Sequence, residues 1–249
     1  MYKRQVYAAT SAGELVALDA KNLMVKDTYT TGGQEFTSSP VVIPFKGRTF
    51  VAAATADGRI HLLDAAAPDG TGHQTPLFKT SAYSGTADFA PGGLATWQAM
   101  DGVRWVLASA AGPPAASSGF SSTNGAVTSG AIAAWKVADR NGVITLDPGW
   151  LSRDMISPLP PMVINGVVFA LSSGEFRSED GRLSAAQRVQ RSSPAVLYAL
   201  DGATGKVLWD SGRTIPSFVN SGGLSGGAGQ LYLETYDQTL YAFGFPIEH

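Results

Sequence analysis

Three acidic residues stand at comparable places in the sequence and could supply oxygen ligands to a metal ion. Glu35, Asp88 and Asp154 each precede an apolar residue and lie shortly before a Ser-Pro or Pro-Gly segment. Calcium takes six to eight oxygen ligands, so carboxylates that converge from several structural units could bind it. The alternative is that each carboxylate caps the backbone of its own loop, as Asp does in many turns.

Arginines are concentrated in one stretch of the chain, between residues 173 and 194. They are Arg177, Arg182, Arg188 and Arg191. One interpretation is a cationic lid that holds an anionic substrate through charge-assisted hydrogen bonds. The alternative, which we favour, is a solvated segment whose arginines pair with its own acids, Glu175, Glu179 and Asp180. Ser184 and Gln187 form a capping-box pattern, which predicts a short helix to about Gln190.

Several kinds of chemistry are excluded or disfavoured by composition. The chain has no cysteine, which excludes disulfides, thiolate metal sites and cysteine nucleophiles. His61, His73 and His249 are isolated from one another, which disfavours a histidine metal site and predicts surface or strand positions. A net charge of −2 gives no sign of a nucleic-acid partner, and no apolar stretch approaches the ~18 residues of a membrane span.

The elements that position these residues follow from an internal repeat. Five segments share an alternation of apolar and small residues, and they begin at residues 15, 60, 132, 197 and 240. Two of the intervals, 45 and 43 residues, match the size of one four-stranded propeller blade, and the longer two require insertions. The predicted fold class is therefore all-β, a β-propeller of four-stranded antiparallel blades, and a β-sandwich is the structural alternative.

Each unit is predicted to contain four short strands separated by turn residues. Three whole blades and two partial ones fill residues 6–249 as a single partial propeller domain. The turns are predicted at glycine-containing pairs such as Lys46-Gly47, Asp57-Gly58 and Asn141-Gly142. The glycine-rich run 222–227 lacks a following helix and is interpreted as an inner strand.

The two insertions, 112–129 and 173–194, both fall between the second and third strands of a unit. Loops at that position emerge on the same face of a propeller as the loops between units. Long loops on one face of a rigid scaffold commonly carry binding functions. We therefore expect a functional site on this face.

One copy of the repeat carries a recognisable motif, which reads AxDxxTGKxxW. Its defining residues are Ala199, Asp201, Thr204, Gly205, Lys206 and Trp209. The motif resembles the tryptophan-docking repeat of pyrroloquinoline quinone (PQQ) enzymes, the quinoprotein alcohol dehydrogenase-like propellers. In that family these residues are structural, because they form a tight turn and a tryptophan that wedges between adjacent blades. The other four copies depart from the pattern, for example with Lys136 and Gly244 in place of the Asp.

The resemblance implies two functions. The first is an exported, periplasmic oxidoreductase that uses PQQ and calcium to oxidise an alcohol or a sugar. In it Glu35, Asp88 and Asp154 are candidate metal ligands, Asp88 and Asp154 candidate catalytic residues, and Arg177, Arg188 and Arg191 candidate cofactor-binding residues. The second is a scaffold or binding propeller that contacts an envelope protein. The vicinal cysteine pair found beside PQQ in many family members is absent.

The beginning of the sequence resembles a translated sequencing adapter over residues 1–5, so the first native strand is expected to begin at Val6. The family resemblance implies a whole propeller of six to eight blades, with the further blades N-terminal to this segment. An export signal is not expected to be visible in such a fragment.

Overall fold

The structure is a computed structural model that describes residues 5–67, 75–83, 89–177, 182–220 and 222–244. The predictions made for Asp88, Glu179 and Asp180, and for His73 and His249, lie outside the described residues.

Nineteen strands fill the described residues and form five sheets in chain order. Sheet I contains β1 Gln5–Ala9, β2 Glu14–Asp19 and β3 Val25–Thr30. Sheet II contains β5 Val41–Phe45, β6 Arg48–Ala54, β7 Ile60–Asp64 and β8 Phe78–Lys79. Sheet III contains β9 Gly92–Gln98, β10 Arg104–Ala111, β11 Gly130–Arg140 and β12 Val143–Leu151. Sheet IV contains β13 Met162–Ile164, β14 Val167–Ser172, β15 Val196–Asp201 and β16 Val207–Asp210. Sheet V contains β17 Ser225–Gly227, β18 Gln230–Glu234 and β19 Leu240–Gly244.

A short strand, β4 Ser38–Ser39, joins neighbouring sheets. It precedes the first strand of sheet II and pairs in parallel with Gly92 and Gly93 at the start of sheet III. All other strand pairs are antiparallel between neighbours in sequence, as the repeat predicts for propeller blades. Sheets II, III and IV are the three four-stranded units, and sheets I and V have three strands each in the described residues.

The core is divided into four layers, and each layer lies between two consecutive sheets. Tyr29 of sheet I packs with Leu63 of sheet II, and Phe50 of sheet II packs with Trp135 of sheet III. The same pattern repeats between sheets III and IV and between sheets IV and V. The inner sheets are therefore buried on both faces. This explains why their strands are continuous apolar runs rather than alternating ones.

Hairpin turns lie where their glycine pairs predicted them. Asn141 and Gly142 join β11 to β12 with φ of +56° and +90°, the left-handed conformation that such two-residue turns require. The strand after this turn, β12, runs from Val143 to Leu151. Strand β8 has two residues, Phe78–Lys79, and β1 begins at Gln5, one residue before the expected Val6, with Gln5 paired to Asp19.

The motif residues form a tight turn after β15. The Asp201 carboxylate accepts hydrogen bonds from the Thr204 backbone N–H and hydroxyl at 2.8 and 2.7 Å. Gly205 has a φ of +71°, and a Cβ there would lie 2.3 Å from the Trp150 ring. The Asp201 backbone N–H donates a hydrogen bond to the Lys206 carbonyl oxygen at 2.8 Å. The turn needs glycine both for its conformation and for the close approach of a tryptophan from sheet III.

The strand register shows that sheets III and IV each carry a tryptophan at the same position, although the spacing of residues in the sequence differs. In sheet IV, Trp209 pairs with Ala199 immediately before a bulge, and in sheet III Trp150 pairs with Ala134 immediately before the same bulge. Trp150 is thus the structural equivalent of Trp209. It lies outside the predicted motif because the β11–β12 hairpin is longer.

Candidate functional site

The two insertions begin and end at one cavity of about 870 Å³. Ala111 precedes the first insertion and Ser129 ends it, Gly174 and Ser193 lie near the ends of the second, and all four line the cavity. The prediction that both insertions emerge on a common face is therefore confirmed. Ser109 and Ala111 at the end of β10 and the segment Ile156–Pro158 between sheets III and IV complete the lining, so loops carried by the sheets build the site.

The body of the first insertion does not line this cavity, since Ser129 is its only residue among the lining residues. Phe120 packs edge-on against Trp135, with the ring centroids 5.1 Å apart. The Asn124 amide donates hydrogen bonds to the carbonyl oxygens of Leu151 and Thr204 at 2.6 and 2.9 Å. The physical reason is the apolar content of the loop, since burying Phe120 and Val127 favours packing onto the core.

The second insertion carries the predicted helix and folds over the cavity. Helix α1 spans Ala185–Arg191 and begins at Ser184, whose hydroxyl accepts the Gln187 N–H while the Gln187 side chain accepts the Ser184 N–H. The capping-box prediction is confirmed, and the helix ends one residue later than predicted. The helix positions Arg188 and Arg191 in its last turn.

A buried carboxylate organises this insertion. The Glu175 side chain is only 4% exposed and bridges Arg177, at 3.2 Å from Nε, and Arg188, at 2.7 Å from Nη1. Two charge-assisted hydrogen bonds compensate for the burial of the charge. The predicted pairing of arginines with acids of the same segment is confirmed for these two, whereas Glu179 and Asp180 lie outside the described residues.

Arg191 is held differently from the other two arginines. Its guanidinium lies over the Phe176 ring, 5.2 Å from the centroid, and both residues line the cavity. Within the described ranges Arg191 has no carboxylate partner. A guanidinium that is stacked on an aromatic ring keeps its N–H donors directed sideways, where they can bind an anion. Sequence reasoning missed Phe176, because nothing in its local pattern distinguishes it.

Asp154 caps the end of the first insertion. Its Oδ1 accepts the backbone N–H groups of Thr128 and Ser129 at 2.8 and 2.7 Å, and its Oδ2 accepts the Thr128 hydroxyl at 3.0 Å. Partial burial raises the pKa of Asp154. The hydrogen bonds from Ser129, Thr128 and Gly130 lower it more, so the pKa lies below its ordinary value. The loop-capping alternative therefore describes Asp154 well, and its oxygens are already engaged.

The described residues do not bring together a set of side chains for the predicted calcium and PQQ sites. Glu35 is exposed, and its backbone carbonyl accepts the Ala56 N–H. No group of three or more His, Asp and Glu side chains that could hold a metal ion occurs in the part of the chain that the structure describes. Asp88 lies outside it. The metal-ligand set Glu35, Asp88 and Asp154 and the catalytic candidates thus stay predictions.

His61 is the buried polar group that sequence reasoning undervalued. It lies in β7, as a strand residue, but it is 1% exposed and its Nδ1 is 2.7 Å from the Tyr29 hydroxyl. Its Nε2 has no hydrogen-bond partner among the described residues. Burial lowers its pKa to about 4, with Lys79 adding to the effect. The signal was its position within an apolar strand that is covered on both faces.

Comparison with known proteins shows the fold. No protein-family model and no curated protein matches the chain. Solved structures do match. Those of BBS1N in complex with ARL6DN, soaked with mercury or with lead, have TM-scores of 0.55 and 0.56 at 10% and 11% identity. In both, 96% of this chain matches 60% of that chain. BamB from Moraxella catarrhalis matches at a TM-score of 0.45 and 17% identity, over 100% of this chain and 69% of that one.

At such low identity these similarities speak to fold alone. Together with the five sheets that pack in chain order, the two BBS1N matches show an all-β propeller built of four-stranded antiparallel blades. The chain spans about 60% of the length of the BBS1N chains that it matches. No helix in the described ranges is long and apolar enough to cross a membrane.

Proposed function

We propose that this propeller is a non-catalytic binding module that holds an anionic group of its ligand in the cavity between the two insertions. The observation that carries the proposal is Arg191. Its guanidinium is fixed on Phe176 at the cavity wall and is not neutralised by any described carboxylate. Carboxylate and phosphate oxygens are the groups that fit a guanidinium fork.

The charge around the cavity supports an anionic ligand. Arg177 and Arg191 line the cavity together with the buried carboxylate of Glu175, and Arg188 pairs with the same carboxylate. Asp154 is not among the lining residues, and its oxygens accept hydrogen bonds from the first insertion. Among the described lining residues, two arginines therefore stand against one carboxylate, which gives this part of the cavity a net positive charge. A cleft with one sign of charge concentrates ligands of the opposite sign.

The described lining of the cavity favours binding over catalysis. It contains serines but no histidine, so these hydroxyls have no base of that kind to activate them. Both carboxylate oxygens of Glu175 are already engaged, one by Arg177 and one by Arg188. The first of the two functions implied by the family resemblance, a PQQ- and calcium-dependent dehydrogenase, requires a donor set that includes Asp88. Export to the periplasm rests on the same resemblance.

A titration separates these functions. Citrate and inorganic phosphate are titrated into wild-type protein by calorimetry, followed by PQQ with and without calcium. We expect saturable binding of the anions that Arg191→Ala weakens about tenfold, which is the effect of losing one charge-assisted contact. The control Arg213→Ala removes an exposed arginine outside the cavity and should bind as wild type.

Two results would contradict the binding-module proposal. Anion binding that is equal in wild type and Arg191→Ala would remove Arg191 from the site. Tight, calcium-dependent PQQ binding with dye-linked alcohol oxidation would establish the dehydrogenase instead.

A further inference from the structure

The cavity between the insertions presents hydroxyl oxygens as well as arginines. Three of its lining serines, Ser109, Ser157 and Ser193, each donate the hydroxyl hydrogen to a backbone carbonyl oxygen, at 3.3, 2.8 and 3.4 Å. A hydroxyl has one hydrogen and two lone pairs, so once its hydrogen is engaged it can only accept further hydrogen bonds. Within the described ranges none of these three oxygens accepts one. The cavity thus holds three hydrogen-bond acceptors that a ligand can use.

Two of these acceptors lie beside the arginine-bearing wall. Ser157 and Ser193 hydrogen-bond to the carbonyl oxygens of residues 175 and 174. These two residues directly precede Phe176, on whose ring Arg191 lies. Ser157 has a φ of +46°, which is unfavourable for a residue other than glycine. Its hydroxyl contact of 2.8 Å therefore helps to hold a conformation that the residue would not adopt by itself.

An anionic group alone would leave these acceptors unused. Ionised carboxylates accept hydrogen bonds but donate none, so they match the Arg191 guanidinium and not the serine oxygens. A ligand that satisfies both carries donors next to its charge. Hydroxyl groups on neighbouring carbon atoms supply several donors close together, whereas a peptide backbone supplies one N–H per residue. Ala111, Ile156 and Pro158 also line the cavity, and such apolar groups suit the C–H bonds of a carbon ring or chain.

We propose that the ligand of this cavity is a small polyhydroxylated anion, of the sugar-acid or sugar-phosphate type. Its charged group binds Arg191, and its hydroxyls donate to the oxygens of Ser157, Ser193 and Ser109. The hydroxyls act only as binding groups, and no oxidation of them is involved. This inference rests on the proposed function, since it narrows the ligand class of the same cavity.

A set of matched small molecules tests the proposal on the wild-type protein by calorimetric titration. The probe is D-glucuronate, which has a carboxylate and several hydroxyls on one ring. Cyclohexanecarboxylate keeps the ring size and the charge without the hydroxyls, and D-glucose keeps the hydroxyls without the charge. We expect each of these two to bind about tenfold more weakly than glucuronate, or weaker still.

Serine variants show whether the preference comes from the proposed acceptors. In Ser193→Ala the backbone N–H of residue 193 still donates to the Gly174 carbonyl oxygen at 2.9 Å, so the insertion stays closed there. The variant should bind glucuronate about fivefold more weakly, which is the effect of one neutral hydrogen bond, and its preference over cyclohexanecarboxylate should narrow by the same factor. The control Ser117→Ala alters an exposed serine outside the cavity and should keep the wild-type preference.

The outcomes distinguish this inference from the proposed function. If glucuronate and cyclohexanecarboxylate bind equally well, the anion site stands and the polyhydroxylated ligand is overturned. Tighter binding of N-acetyl-alanyl-alanine than of glucuronate would also overturn it, in favour of a peptide carboxyl terminus. Tighter binding of glucose 6-phosphate, with the same loss in Ser193→Ala, would support it and identify the phosphate as the charged group. Absence of saturable binding by every anion would overturn both proposals.

Discussion

The buried histidine of β7 makes the stability of this protein depend on pH in a specific range. His61 lies between Tyr29 and Phe36, whose ring centroids are 5.8 and 6.0 Å from its own. Burial is the main cause that lowers its pKa from 6.5 to about 4, and Lys79 and Arg59 act in the same direction against Asp57. His61 is therefore protonated less readily in the folded protein than in the unfolded chain.

The sign and the size of the effect follow from linkage. Since the pKa is depressed on folding, the unfolded state binds more protons between about pH 6.5 and 4, and stability falls as pH falls through that range. The two pKa values correspond to a total loss of about 3 kcal/mol, of which about 2 kcal/mol is lost between pH 7 and pH 5.

The variant His61→Gln removes the titrating group and should lose this part of the pH dependence. Urea unfolding of the wild type and the variant, at about pH 7, 6 and 5, gives the difference in slope. Tyr29→Phe is the matched control. It removes the hydrogen bond to His61 but leaves the burial, so it should keep the wild-type slope. The reasoning is refuted if wild type and His61→Gln lose the same stability, within about 0.5 kcal/mol, over that range.

Three further predictions concern the turn and the insertions. In urea unfolding, Gly205→Ala should lower the free energy of unfolding by roughly 2–4 kcal/mol, because the new side chain meets a positive φ and clashes with Trp150. Gly229 has a positive φ but open space around it, so Gly229→Ala should lower the free energy of unfolding by only about 1 kcal/mol. Glu175→Gln should release the second insertion and speed tryptic cleavage there about tenfold, measured by mass spectrometry, and an unchanged rate would contradict its organising role. Asp154→Ala should destabilise the protein by about 2 kcal/mol at neutral pH, measured by calorimetric melting. Because folding depresses the pKa of Asp154, the stability difference between wild type and variant should shrink only below about pH 4.

The sequence predicts the order of strands well and their register poorly. The blade repeat, the glycine turns and the capped helix α1 follow from local patterns of residue type. The equivalence of Trp150 and Trp209 does not, because the longer β11–β12 hairpin shifts the tryptophan along the sequence while the bulge keeps it at the same place in the sheet. Register depends on pairing, which residue spacing does not contain.

Part of the candidate site could likewise be predicted from the sequence, and part depends on tertiary packing. The common face of the insertions followed from their position between second and third strands, and the pairing of Arg177 and Arg188 with Glu175 followed from their proximity in sequence. The stacking of Arg191 on Phe176 depends on how the insertion folds back on itself. The first insertion turns away from the cavity because Phe120 packs on the core, which is a tertiary contact that local sequence does not reveal.

The most direct test of the binding site observes the arginine side chains themselves. In a two-dimensional spectrum of ¹⁵N-labelled protein, the Nε–H resonance of Arg191 is followed during titration with citrate, and Arg213 serves as the reference outside the cavity. A saturable shift of Arg191 with a stationary Arg213 is the predicted result. A stationary Arg191, or equal and non-saturating shifts of both residues, would contradict the assignment of the cavity as an anion-binding site.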